Sequence, residues 1–234
     1  MRGPFDALAL LAKEPSPGRV KTRLSPALSP IEAARLASCL LEDTAGEMSR
    51  LGSVRRYLFL DPPESVGRLE GGAFAGFERH PQKGADLGAR MQDAASRAFR
   101  EGARRVVIVG ADCPALEAGR VRRAFRELRE GAGAVFGPSA DGGYYLVGLA
   151  SPDARLFEGI PWSTGAVLRE TTARCRASCT TFSFLPQERD VDTYEDLLAL
   201  GKRVAARAHP RCPRTREWIT SFFASGGAGS RRRG

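Results

Sequence analysis

The segment AKEPSPGRVKTRLSP, residues 12–26, crowds Lys13, Arg19, Lys21 and Arg23 around one glycine and three prolines, with Arg2 nearby. A loop of this kind can be a solvated surface face or a cradle for an anion. The residue types suit the second use. Gly18 lets backbone N–H groups approach an anion closely, and Thr22 adds a hydroxyl. Arg19 and Arg23 can grip phosphate oxygens two at a time, while Lys21 is a compact charge. The loop is not a Walker A sequence, since only two residues separate Gly18 from Lys21, and no G-x-G-x-x-G fingerprint is present.

Acidic residues supply the complementary chemistry. GADCP, residues 110–114, follows the strand RRVVIV and carries Asp112. That carboxylate can cap the next segment, or it can hold a hard divalent cation that bridges phosphate oxygens. RDVDTYEDL carries Asp190 and Asp192 in alternation, so that an extended segment points both the same way. Asp192 can also serve as N-cap of the following helix, with Glu195 completing a capping box and Asp196 on the helix surface. GPSADGGYYLVGL, residues 137–149, offers Asp141 ahead of two glycines, as a turn or as a catalytic base. QKGADLG, residues 82–88, sets Gln82, Gly84, Asp86 and Gly88 before a helix, where the glycines either admit a flat base or ribose or simply form a turn. PWSTGAVL supplies Ser163 as a helix N-cap and Trp162 as an apolar anchor.

These groups need a scaffold, and the apolar pattern describes one. FDALALLA, RRYLFLD and RRVVIVGAD read as strands, the last apolar enough for a parallel sheet buried on both faces. SPIEAARLASCLLEDTAGEM reads as a helix with Ser29 as N-cap, Pro30 in the first turn and Glu32 closing a capping box. DLGARMQDAASRAFREGA reads as a helix closed by Gly102, and LEAGRVRRAFRELREG as another. AGAVFGP, GYYLVGL and TTFSFLP read as strands. TGAVLRETTARCRA, TYEDLLALGKRVAARA and PRTREWITSFFAS read as helices, the last docking Trp218, Ile219, Phe222 and Phe223 on the body. The alternation predicts an α/β fold with a mainly parallel sheet flanked by helices, in which ligands bind beyond the carboxyl ends of the strands. The loop after the first strand, Asp112 and Asp141 all fall at such ends. Residues 1–224 read as one domain and 225–234 as a disordered basic tail.

Composition narrows the classes. Apolar residues at 42% and charged residues at 27% are ordinary for a globular chain. No apolar run is long enough to cross a membrane and no signal peptide is recognisable, so a cytoplasmic location is expected, with no membrane partner. Five cysteines without a C-x-x-C pair argue against a disulfide framework or a zinc site. The two histidines, His80 and His209, lie near no nucleophile motif, which argues against a triad hydrolase; His209, before Pro210, reads as a surface loop residue. The net charge of +9 invites a nucleic-acid reading, but three of those charges are Arg231, Arg232 and Arg233 in the tail. Aromatics are not interleaved with the basic residues as a stacking platform requires, so nucleic acid is disfavoured.

Six motifs in one order, AKEPSPGRVKTRL, QKGADLGARM, GADCPAL, GPSADGGYYLVGL, PWSTGAVL and DVDTYEDL, resemble the bacterial rSAM/selenodomain-associated transferase 1 family. That family is similar to the 2-phospholactate guanylyltransferases and belongs to the glycosyltransferase-A-like (GT-A-like) superfamily. The resemblance spans about residues 5–200 and implies a Rossmann-like nucleotide-diphospho-sugar transferase fold that binds a nucleotide with Mg²⁺ or Mn²⁺. It implies phosphate binding by the loop from Lys13 to Arg23, a metal-ligand role for Asp112, and metal or acceptor-site roles for Asp190 and Asp192. It further places QKGADLG near the base or ribose.

The expected activity is metal-dependent transfer of a nucleoside monophosphate from a nucleoside triphosphate to a small phosphorylated acceptor. Lys21, Arg19 and Arg23 would hold the leaving pyrophosphate, and no protein nucleophile is required. Glycosyl transfer from a nucleotide-sugar, with Asp141 as base, is the alternative. A nucleotide- or nucleic-acid-binding module without turnover is the third reading. The nucleobase, the acceptor and the oligomeric state stay open.

Overall fold

A run of six residues, Ala7–Ala12, is at most 8% exposed, as the middle strand of a doubly covered sheet must be. It forms most of β1 (Phe5–Lys13). The computed structural model describes residues 4–206 and 212–226. Six further strands join β1: β2 (Val54–Asp61), β3 (Phe77–Pro81), β4 (Ala103–Val109), β5 (Ala134–Pro138), β6 (Tyr144–Leu149) and β7 (Phe182–Phe184). Their order across the sheet is β3-β2-β1-β4-β6-β5-β7. Only β6 runs against its neighbours β4 and β5; the other pairings are parallel. The mainly parallel α/β sheet is as expected, with one strand added. β3 (FERHP) is short and edge-placed, and its charged residues hide the alternation that marks a half-buried strand.

Helices cover both faces. α1 (Pro30–Met48) and α3 (Ala118–Arg129) pack Leu41, Ala45, Met48, Val121 and Phe125 over Leu8, Leu10 and Val107. α2 (Leu87–Arg100) and α4 (Val167–Ala177) cover the opposite face, with Met91, Ala94, Ala98 and Cys175 over Ala7, Ala9 and Val106. The capping box of α1 forms as its local sequence dictates: the Glu32 backbone N–H donates to Ser29 Oγ at 3.3 Å and the Ser29 N–H donates to Glu32 Oε2 at 2.8 Å. Gly102 follows α2 with φ +99°, the left-handed closure predicted for it.

A third apolar cluster matters most for function. α5 (Tyr194–Ala205) and α6 (Pro213–Ala224) bury Leu197, Leu200, Ile219 and Phe222 together with Leu24, Leu28 and Val191. This ties the basic loop after β1 to the segment carrying Asp190 and Asp192, 170 residues away in sequence. Trp218 and Phe223 pack against the same cluster, so α6 docks by the face expected. Its N-terminus is capped from another helix. Cys212 makes no side-chain cap bond, and the backbone N–H groups of Arg214 and Thr215 donate instead to Asp43 Oδ1 at 3.1 Å and Oδ2 at 2.8 Å. Asp43→Ala should therefore lower stability by about 1–2 kcal/mol, read as a lower urea midpoint at unchanged m-value. An unchanged midpoint would show that α6 docks without this cap.

Of the expected basic tail, Ser225 and Gly226 close α6, and the rest lies outside the described residues, as does His209. Among the described residues no helix is long and apolar enough to cross a membrane.

Candidate functional site

Four chain segments meet beyond the carboxyl ends of the parallel strands: the loop after β1, the loop after β4, the β5–β6 turn, and the stretch between β7 and α5. Tertiary hydrogen bonds set their positions. The stretch after β7 runs beside β5, where the Glu188 N–H donates to Pro138 O and the Ala140 N–H to Glu188 O. Arg120 pairs with Glu188, and the Tyr145 hydroxyl donates to Pro186 O at 3.0 Å. The Val191 N–H donates to Asp112 O at 2.9 Å, locking the two acidic motifs together.

Lys21 reaches into this junction. Its Nζ lies 2.5 Å from Asp112 Oδ1, 3.0 Å from Asp192 Oδ1 and 2.7 Å from Val191 O. Three acceptors thus match the three donors of an ammonium group. The Lys21 side chain is 4% exposed, against 53% for Asp112 and 39% for Asp192. Burial alone would push the ammonium's pKa down, but Asp112 and Asp192 outweigh it and hold the pKa above the ordinary lysine value. The backbone at Lys21 is left-handed, φ 51° and ψ 34°, which costs a residue with a Cβ about 1–2 kcal/mol. That conformation turns Lys21 inward while Arg19, Thr22 and Arg23 stay exposed. Gly18 and Lys13 are exposed as well, so the loop presents cations to solvent at the end of β1. The basic loop therefore divides into an outer set and one inner lysine, a division its composition does not announce.

Asp190 is held beside this bridge by the buried Ser139, whose Oγ donates to Asp190 Oδ2 at 3.0 Å. Burial pushes the Asp190 carboxyl up to about 7, with Asp112, Asp192 and Asp141 adding repulsion against the Ser139 hydrogen bond. Asp141 itself is exposed, its Oδ1 accepting from the Gly143 N–H at 2.9 Å in the expected turn. The structure thus gathers Lys21, Asp112, Asp190 and Asp192 in direct contact or close electrostatic range, with Asp141 at the rim.

The QKGADLG residues have packing roles. Gln82 donates its amide N–H groups to Ala12 O at 2.8 Å and Phe59 O at 3.1 Å, strapping the ends of β1 and β2. Asp86 is the N-cap of α2, accepting from the Ala89 N–H at 2.8 Å. A Cβ at Gly84 would lie 2.7 Å from the first turn of α2, and one at Gly88 only 2.5 Å from the Trp162 ring. Trp162 is the apolar anchor expected, set against Tyr144 and Phe157. Ser163 is not a helix cap: it adopts φ 64°, and α4 begins after Ala166 without a side-chain cap. At α5 the capping box is one residue later than expected. Thr193 is the N-cap and Asp196 the reciprocal partner, which leaves Asp192 for Lys21 and takes Asp196 off the plain helix surface.

A divalent cation is the group this fold class implies, and the donors can be compared with its needs. Asp112 and Asp192 already share one cation, the Lys21 ammonium, each through Oδ1. Hard carboxylate oxygens suit Mg²⁺ or Mn²⁺, and Mg²⁺ usually takes only one or two carboxylates, completing its shell with water and phosphate. Among the described residues no cluster of three His, Cys, Asp or Glu side chains is arranged as a closed metal cage. An open site of two carboxylates fits the group; a dedicated cage is not what these residues build.

A family model described as an uncharacterized protein conserved in bacteria (DUF2064) matches residues 44–164, a span that includes Asp112 and Asp141. The phosphoenolpyruvate guanylyltransferase of Rubrobacter xylanophilus is 29% identical over 198 residues, covering 82% of this chain and 92% of the relative. A crystal structure from Desulfovibrio desulfuricans G20, provisionally called a nucleotide-diphospho-sugar transferase, superposes with TM-score 0.79 at 29% identity, over 93% of this chain and 97% of that one. CMP:2-keto-3-deoxy-manno-octonic acid synthetase, solved with CTP, shares the fold at TM-score 0.54 and 12% identity, over 87% of this chain and 99% of that one. The expected GT-A-like nucleotide-diphospho-sugar transferase fold and the likeness to guanylyltransferases are both borne out.

Proposed function

The chain belongs to the bacterial family matched over residues 44–164, and we propose that it moves a nucleoside monophosphate from a nucleoside triphosphate to a small phosphorylated acceptor. It is a transferase of the nucleotidyl class. The observation that carries the reading is the pair Asp112 and Asp192, on two separate loops, holding one cation in common beside a loop of exposed cations.

In the reaction an acceptor phosphate oxygen attacks the α-phosphorus. A new P–O bond forms, the bond to the β-phosphate oxygen breaks, and pyrophosphate departs. Arg19 and Arg23, with Lys13, supply positive charge for the phosphates that leave. Gly18 keeps the loop backbone open to them, and Thr22 offers a hydroxyl. Asp112, with Asp192 or Asp190, would hold the divalent cation, which neutralises charge developing around the α-phosphorus when bound. Lys21 positions Asp112 and Asp192 relative to each other. Asp190, its carboxyl pushed up to about 7, is partly protonated near neutral pH and so adjusts the net charge of the cluster. Asp141 at the rim lies where an acceptor would enter. Gln82, Gly84, Asp86 and Gly88 act by shaping the shelf at the end of β2 and the start of α2, beside which the base or ribose would lie. Residues 1–224 act as one catalytic unit, in keeping with the cytoplasmic location expected of an enzyme that consumes a nucleoside triphosphate.

The proposed acceptor class is supported by the Rubrobacter relative, whose name makes it a guanylyltransferase acting on phosphoenolpyruvate. GTP with phosphoenolpyruvate is the first pair to assay, then other triphosphates and phosphorylated hydroxy acids. Pyrophosphate should be released only when triphosphate, acceptor and Mg²⁺ or Mn²⁺ are all present. Release of a nucleoside diphosphate from a nucleotide-sugar donor, without pyrophosphate from any triphosphate, would replace this reading with glycosyl transfer.

A further inference from the structure

We propose that Lys21 is a built-in counter-ion: its ammonium occupies the cation position between Asp112 and Asp192, and an arriving divalent cation displaces it towards the phosphates of the nucleotide. The inference rests on the reading of Asp112 and Asp192 as cation ligands. Its first support is donor accounting. All three N–H donors of Lys21 are taken, by Asp112 Oδ1, Asp192 Oδ1 and Val191 O, so the bridged lysine has none left for a phosphate. A lysine in that state is a structural pin, not a phosphate ligand.

The second support is the direction of approach. Lys21 reaches the two carboxylates from the protein side, its side chain 4% exposed, while Asp112 and Asp192 keep 53% and 39% of their side-chain surface. The nearest oxygen to the ammonium is Oδ1 in both residues. A solvated cation can therefore meet the carboxylates from outside while the ammonium still holds them from within. Two cations on one carboxylate pair repel, and the monovalent one on a flexible stem yields.

The third support is where the displaced group would go. Lys21 sits in a left-handed backbone conformation directly after the buried Val20, with exposed Arg19 ahead of that valine and exposed Thr22 and Arg23 following. Strain of this kind persists only where surrounding contacts over-determine it. Loss of the carboxylate contacts removes what holds the lysine inward, and the outer cations of the same loop mark the phosphate-facing side. Cation binding and nucleotide binding then reinforce each other through one side chain. The cation alone must evict an ammonium that has nowhere to pair, whereas with nucleotide present the phosphates receive it.

The test is Mn²⁺ binding, read by electron paramagnetic resonance, in the wild type and in Lys21→Met without nucleotide. With the ammonium gone, Asp112 and Asp192 are uncompensated, and Mn²⁺ should bind at least about tenfold more tightly, equivalent to about 1.4 kcal/mol. With nucleotide present that advantage should shrink or reverse. Equal or weaker nucleotide-free affinity in Lys21→Met would overturn the inference while leaving the metal assignment standing. Failure of both proteins to bind Mn²⁺, with or without nucleotide, would overturn the metal assignment and the inference together. A second measurement needs no variant. In the wild type, acylation of Lys21 by an amine-directed reagent, followed by mass spectrometry, should be slow in chelator and faster at saturating Mn²⁺. An unchanged rate at saturating Mn²⁺ would likewise overturn it.

Discussion

Asp112→Asn should turn over at least about 10²-fold more slowly than the wild type while retaining its fold. The substitution removes a charge but keeps size and one acceptor oxygen, so Lys21 can still donate to it. The side chain is 53% exposed, and changes at such positions rarely unfold a domain. The competing role as a helix cap has no support from the geometry, because α3 starts after Glu117, five residues later, with no side-chain cap bond. The loss should instead be electrostatic. One of two carboxylates that hold a shared cation becomes neutral, and the charge developing around the α-phosphorus loses a principal source of compensation. Stabilisation by nucleotide plus Mn²⁺ in a melting experiment should vanish together with turnover. Wild-type Mn²⁺ affinity and rate in the variant would refute the assignment.

The second large effect runs in opposite directions for stability and activity. Asp190→Asn should melt higher than the wild type at pH 8 in chelator, yet lose most of its activity. The folded carboxyl titrates at about 7, pushed up first by burial and then by its acidic neighbours, whereas an unfolded aspartate titrates near 3.9. Between those two values the folded state binds more protons than the unfolded state. Stability therefore falls as pH rises through that window, and the penalty is complete above about pH 7. Asn cannot ionise and keeps an acceptor for the Ser139 hydroxyl, so it escapes the penalty. Solvent screening of a half-buried group leaves about 2 kcal/mol of relief, or roughly 4–8 °C in Tm for a domain of this size. At pH 4.5 the folded wild type already carries the proton, and most of the difference should be gone. A pH-independent difference in melting would show that Asp190 ionises normally. A stabilised variant with full activity would show that its charge has no part in the reaction.

Legibility of the molecule in its sequence followed the range of the interactions involved. The α1 capping box is contained in four residues, Ser29 to Glu32, and its form could be read directly. The strands β1 and β4 were equally plain, because burial on both faces demands an unbroken apolar run. At α5 two overlapping boxes compete, Asp192 with Glu195 and Thr193 with Asp196, and their spacing is the same. Asp192 is drawn off by Lys21, a contact 171 positions away, so the second box forms. Lys21 itself was marked as important for its charge, but its neighbours Arg19 and Arg23 carry the same charge. Only the left-handed backbone and the partners on distant loops separate it from them. QKGADLG stayed open between two uses for a related reason. Glycines that could admit a base equally admit Trp162, and the choice depends on a residue 74 positions further along. Ser163 carries the residue type of a cap but a φ of 64° that no N-cap uses.

The claim on which the rest depends is that the bond broken lies between the α- and β-phosphates of a nucleoside triphosphate. It can be tested with two radiolabelled samples of the same triphosphate, beginning with GTP and using phosphoenolpyruvate as acceptor with Mg²⁺. From the α-labelled sample, label should pass into a new nucleotide-linked product in proportion to acceptor consumed. From the γ-labelled sample, all released label should appear as pyrophosphate and none in that product. Transfer of γ-label to the acceptor would contradict the account. So would α-label that stays in triphosphate across the panel of acceptors while a nucleotide-sugar donor is turned over in the same buffer.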